Sequence, residues 1–127
     1  MITAMHTLIY ADDVDAARAF FRDVLQFPHV DTGGGWLIFK SGPSELAAHP
    51  SSWEYEGRSG STDQAFDLSL MCDDLSATVA ELKERGAEFE GDVVDQGWGH
   101  TMQLKVPGVA GAITLYEPTY DPPATSL

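Results

Sequence analysis

Cysteine is nearly missing from this chain of 127 residues: Cys72 is the only one. No intrachain disulfide can form, and no cysteine-based zinc cluster. In the run "LSLMC" the lone thiol reads as a small buried hydrophobe. Positive charge is scarce as well. Seven Lys and Arg stand against 20 Asp and Glu, a formal net charge of −13. Such a surface repels phosphate backbones and anionic lipid headgroups, which sets aside nucleic acid and membranes as partners and suits a cationic small molecule. Long apolar runs are lacking too, none approaching the ~20 residues that span a bilayer. The opening "MITAMHTLIY" contains no Lys or Arg and no long apolar core, so it is not read as a secretory signal. The expected location is cytoplasmic.

What remains is a composition suited to folding, with 43% hydrophobic and 21% charged residues, and a duplicated pattern. "YADDVDAARAFF" (10–21) resembles "MCDDLSATVAEL" (71–82). Each copy has a short β-rich run, "HTLIYA" or "DLSLMC", then an Asp-Asp pair, then an amphipathic helix. Asp12 or Asp13 caps the first helix, with Val14, Ala17, Phe21, Val24 and Leu25 on one stripe. Asp73 or Asp74 caps the second, with Leu75, Val79 and Leu82 on one stripe and Gly86 as its stop. Carboxylates placed just before a helix belong to capping rather than to metal binding.

After each helix the chain turns β-like. In the first half "PHVDT" leads through Gly33–Gly35 into "WLIFK" and then "SELAAH". In the second half "AEFEGDVVDQ" leads through "GWG" into "HTMQLKV" and then "AITLYEP". The glycine turns fit hairpins, not phosphate loops, because no strand-to-helix Walker pattern surrounds them. Each half is thus expected to be β-α-β-β-β within a single domain spanning 1–127, with halves 1–50 and 66–120. Residues 51–65 are expected to be a polar connector, long enough to carry function. Trp53 is its best-placed aromatic for a ligand or an interface.

On these residues the chain resembles the vicinal oxygen chelate superfamily, which includes glyoxalases, extradiol dioxygenases and fosfomycin- and bleomycin-resistance proteins. The resemblance rests on both βαβββ halves, the "DD" helix starts, "GWG" before a strand and the closing "LYEP". It implies an α+β fold in which two repeats curl a mixed β-sheet into a cup with helices outside, and a homodimer. Metal-dependent relatives place ligands at the first and last strands of each half, which correspond here to His6, Leu46, Asp67 and Thr114. Leucine is no donor and a threonine hydroxyl a poor one, so the resemblance implies a degraded metal site and no cofactor. The alternative set is His6, Asp67 and Glu45, holding Mn, Fe, Ni or Zn. It requires a one-residue slip of the closing strand, which would turn over that strand's faces.

Strand parity then assigns the cup lining: His6, Tyr10, Asp67, Ser69, Met71, Gln103, Thr114 and Tyr116, with Trp98 at one end and Trp53 on the connector. This polar and aromatic mixture suits a small organic molecule. His6 and Asp67 are the candidate acid–base couple should the chain be catalytic. Two functions stay open: a metal-independent ligand- or drug-binding protein of the bleomycin-resistance type, or a divalent-metal-dependent lyase, isomerase or dioxygenase using His6 and Asp67.

Overall fold

The strongest local signals fold as the pattern dictates. In the computed structural model, which describes residues 6–126, Asp74 caps helix α2 (Leu75–Glu84) by accepting a hydrogen bond from the Ala77 amide at 3.0 Å. The helix ends in a paired stop, with the Gly86 amide on the Lys83 carbonyl and the Ala87 amide on the Leu82 carbonyl. Helix α1 (Val14–Ala19) begins the same way, its Asp13 carboxylate accepting from the Ala16 amide at 3.1 Å. It then widens into a π-helical turn over Phe20–Val24, closed by the Leu25 amide on the Phe20 carbonyl. The wider turn buries Phe20 and leaves Phe21 only partly covered against the core. A regular 3.6-residue stripe would have favoured Phe21 instead.

The remaining elements are strands, apart from a short closing helix. They are β1 (His29–Asp31), β2 (Leu37–Phe39), β3 (Ser52–Tyr55), β4 (Arg58–Ser61), β5 (Ser69–Met71), β6 (Phe89–Asp95), β7 (Gly99–Lys105) and β8 (Ala112–Pro118), followed by α3 (Pro123–Ser126). The fold is α+β. The second half forms a four-stranded mixed sheet in the order β5-β8-β7-β6, with β5 parallel to β8 and the other pairs antiparallel. Alternation along β7 and β8 sends Met102, Leu104, Ile113 and Leu115 to one face, where they pack with Leu75 and Leu82 of α2 and with Ala17 and Phe20. Leu104 is fully buried; removing such a side chain from water contributes about 1.5–3 kcal/mol.

The two halves share this core. The Asp13 amide donates to the Gly108 carbonyl at 3.1 Å, and Nη1 of Arg85 donates to the Val24 carbonyl at 2.9 Å. Ile9 and Ala11 also pack against the core.

Three segments differ from expectation. Residues 6–11 belong to no sheet, so the predicted first strand is not built. "SELAAH" is likewise not a strand. Its Glu, Leu and Ala residues carry little β-propensity, and no β-branched residue supports it. The expected connector is instead a β-hairpin, β3–β4, turning at Glu56 and Gly57, both with positive φ. Consecutive positive φ values make the turn whose twist matches paired strands.

Candidate functional site

The face of the four-stranded sheet opposite the core carries two cross-strand rows. Register places Glu90, Gln103, Thr114 and Ser69 side by side, and Val94, Thr101, Tyr116 and Met71 in the next row. The Thr114 hydroxyl donates to Oε1 of Gln103 at 3.3 Å. Tyr116 and Thr101 are buried although they point away from the apolar core, so a second layer must cover them.

That layer comes from both halves of the chain. Glu45, just past the β1–β2 hairpin, reaches across so that its Oε1 lies 2.6 Å from the Tyr120 hydroxyl and 3.2 Å from the Tyr116 hydroxyl. The two hydroxyls are themselves 3.1 Å apart. Two hydroxyls have only two protons for these three contacts. The short contact claims the proton of Tyr120, so the proton of Tyr116 is shared between Glu45 and the Tyr120 oxygen. The Ala124 amide approaches Oε2 of Glu45 at 3.4 Å, fixing the C-terminal segment to the same carboxylate. On the other side, the Trp98 ring meets Tyr116 edge-on at 5.4 Å between centroids. The Thr119 amide donates to the Trp98 carbonyl at 3.0 Å and its hydroxyl to the Gly97 carbonyl at 2.8 Å. Trp98 nevertheless stays 49% exposed, leaving ring surface open for stacking.

The electrostatics follow from these bonds. The Tyr120 hydrogen bond, aided by the Ala124 amide and Tyr116, holds the Glu45 carboxyl below its ordinary range. Burial, with Glu45 adding to it, pushes the Tyr116 hydroxyl up, and the Glu45 hydrogen bond pushes Tyr120 up strongly. Near neutral pH the cluster therefore presents one carboxylate and two neutral phenols. Burial also raises the Cys72 thiol, which is half-covered on the core side, as expected for a structural cysteine.

Of the residues singled out in the sequence, Ser69, Met71, Gln103, Thr114 and Tyr116 share this sheet face, and Trp98 packs on it. Asp67 does not join them in any hydrogen bond: its Oδ1 accepts from the neighbouring Leu68 amide at 2.9 Å. His6 and Tyr10 line a different cavity, floored by the core-facing Leu68, Leu70 and Ile113. Parity could not carry His6 into the cup, because residues 6–11 have no sheet to give them faces. Trp53 lies across Gly60 within its hairpin and meets His49 edge-on at 5.2 Å. Tyr120 escaped the sequence reading. Its spacing of four from Tyr116 was the available signal, masked by the Pro118 that ends β8.

The Glyoxalase/Bleomycin resistance protein/Dioxygenase superfamily model matches residues 3–119. The chain belongs to this superfamily. Solved structures of similar fold include TnmS3, an antibiotic binding protein from Streptomyces sp. CB03234, at 20% identity and a TM-score of 0.53 over 94% of this chain and 100% of that one. A glyoxalase/bleomycin resistance protein/dioxygenase superfamily member from Sphaerobacter thermophilus DSM 20745 matches at 22% identity and a TM-score of 0.58, covering 91% and 98%. The fosfomycin resistance protein FosX from Listeria monocytogenes matches at 11% identity and a TM-score of 0.52, covering 96% of each chain. No curated protein matches. At these identities the solved structures speak for the fold.

The superfamily includes metal-dependent members, so the donor set must be compared with what a divalent ion requires. Among the described residues no three His, Cys, Asp or Glu side chains converge as a metal site requires. Glu45 is engaged by two tyrosines, Asp67 by the Leu68 amide, and His6 lines another cavity. These residues do not fit a metal. No described helix is long and apolar enough to cross a membrane.

Proposed function

We propose that this superfamily member is a metal-independent small-molecule-binding protein that holds an organic ligand on the exposed sheet face between Trp98 and the Gln103–Thr114–Ser69 row. The observation that carries this reading is the Glu45–Tyr116–Tyr120 cluster. It commits the Glu45 carboxylate to phenol hydroxyls and stiffens the platform on which Trp98 stands. Trp98 supplies a stacking surface, and the amide and hydroxyls of Gln103, Thr114 and Ser69 supply donors and acceptors that fix orientation. The cluster contains no histidine, and Glu45 with burial holds both phenols in their neutral form rather than activating them as nucleophiles, so the reading is binding rather than turnover. A net charge of −13 favours a neutral or cationic ligand. Antibiotic binding by the TnmS3 neighbour is in keeping with this reading. It includes a cytoplasmic location.

The same reading includes a homodimer. β5 is an edge strand, and Leu8, Leu46 and Phe66 are 61%, 82% and 92% exposed, which is apolar surface a second copy would cover. Equilibrium dialysis of the purified protein against manganese, iron, nickel and zinc tests the metal-independent part. Retention of no stoichiometric ion is expected. One tightly held ion per chain, lost in His6→Ala, would overturn it.

A further inference from the structure

The cavity that receives His6 has a character opposite to that of the rest of the molecule. It measures about 450 Å³ and lies between residues 6–11, α1 and the β1–β2 hairpin. Its walls are aromatic and aliphatic, among them Phe21, Trp36, Phe39 and Leu70. One permanently charged side chain lines it, Arg18, whose guanidinium sits 4.7 Å from the Trp36 ring centroid. The other cations nearby are committed: Arg22 pairs with Asp23 at 2.7 Å, and Arg85 pairs with Glu81 and the Val24 carbonyl. Arg18 makes no ion pair among the described residues, so its planar fork keeps donors free.

We infer that this cavity is a second ligand site, separate from the sheet-face site, which takes an apolar aromatic anion: a ring seated against Phe21, Phe39 and Leu70 and a carboxylate held by Arg18. The volume falls within the range of small-molecule sites. An unpaired guanidinium stacked on an indole at the rim of an apolar cavity is complementary to a carboxylate attached to a flat hydrophobic body, because one edge of the fork binds both oxygens while the cavity takes the ring. His6, lining the same cavity, adds a ring nitrogen that can donate to the bound anion. The overall negative charge does not forbid this. Charges farther away than about 8 Å are largely screened at physiological salt, and the nearest charge to the carboxylate is Arg18. This inference stands independently of the sheet-face reading.

The test uses 2-naphthoate, with 2-naphthylmethanol as its uncharged match, titrated into isotopically labelled wild-type protein and Arg18→Gln and followed by amide and indole NMR shifts. Naphthoate is expected to shift the Trp36 indole and the Leu70 amide without moving Trp98. Its affinity should fall about tenfold in Arg18→Gln, the scale of a charge-assisted hydrogen bond, while naphthylmethanol binds both proteins alike. Absence of naphthoate binding, equal affinity for the two proteins, or shifts confined to Trp98 would overturn the assignment. If Arg18→Gln does not fold, the wild-type salt dependence decides. Naphthoate binding must weaken as sodium chloride rises while naphthylmethanol binding does not, and a salt dependence shared by both ligands refutes the site.

Discussion

The Tyr120 hydroxyl stands 2.6 Å from Oε1 of Glu45, linking residues that lie on opposite sides of the duplicated sequence pattern. That spacing is typical of a hydroxyl donating to an ionised carboxylate. It ties the chain beyond β8 to the loop that follows the β1–β2 hairpin and closes a lid over Tyr116.

Glu45→Gln should loosen the C-terminal segment without unfolding the sheet. Hydrogen exchange of the Ala124 and Thr119 amides is expected to speed up severalfold, while the amides of Met102 and Leu104 exchange as in the wild type. Equal speeding in both groups would mean that the carboxylate supports the whole fold rather than the lid.

The pH window of the lid follows from its groups. Glu45 titrates below its ordinary 4.5, held down first by Tyr120, so its contribution is complete above about that pH and is lost as pH falls through the lowered value. Tyr116 and Tyr120 titrate above their ordinary 10, Tyr116 first through burial and Tyr120 first through Glu45. Their contribution is complete below pH 10 and is lost as pH rises through the raised values. Carbon NMR of the Glu45 carboxyl should show its titration moving up toward 4.5 in Tyr120→Phe; an unmoved titration would contradict the hydrogen bond. Because Glu45 is only partly covered, the effect on global stability is modest.

Gly108→Ala should separate the two halves. A methyl group there would collide with the Asp13 backbone, and Gly108 has φ +81, so both contact and conformation oppose it. The backbone strain alone costs about 1–3 kcal/mol, and the Asp13–Gly108 bond that docks α1 is lost as well. The urea midpoint should fall by at least that equivalent; an unchanged midpoint would show that α1 docks without this approach.

Leu104→Ala probes the shared core. Leu104 is completely buried between the helices and the sheet, so truncation should cost about 2–5 kcal/mol in a denaturant titration. A loss below 1 kcal/mol would mean that the core collapses around the gap.

The second half was legible because its alternation is strong: Met102 and Leu104 on β7, and Ile113 and Leu115 on β8, all reach the core as parity demands. Parity then placed Gln103, Thr114 and Tyr116 together on the opposite face. In the first half the same reasoning had less to hold. Residues 6–11 read as a strand, but a strand needs a partner to acquire faces, and none pairs with them among the described residues. "SWEYEGRSGS" hid its hairpin behind a Glu-Gly turn that lacks the usual Asn or Asp. Glu45 came into view only as a metal donor, since sequence spacing says nothing of a carboxylate meeting a phenol 75 residues away.

The most direct test of metal-independent binding on the sheet face is an NMR screen of a diverse fragment library against the labelled protein, run with chelator and repeated with added manganese or zinc. Fragments are expected to shift the Trp98 indole together with the Gln103 and Thr114 amides, equally under both conditions, and to lose affinity in Trp98→Ala. Fragments that reach those residues only once a divalent ion is present, or a library that leaves them unmoved, would contradict the account.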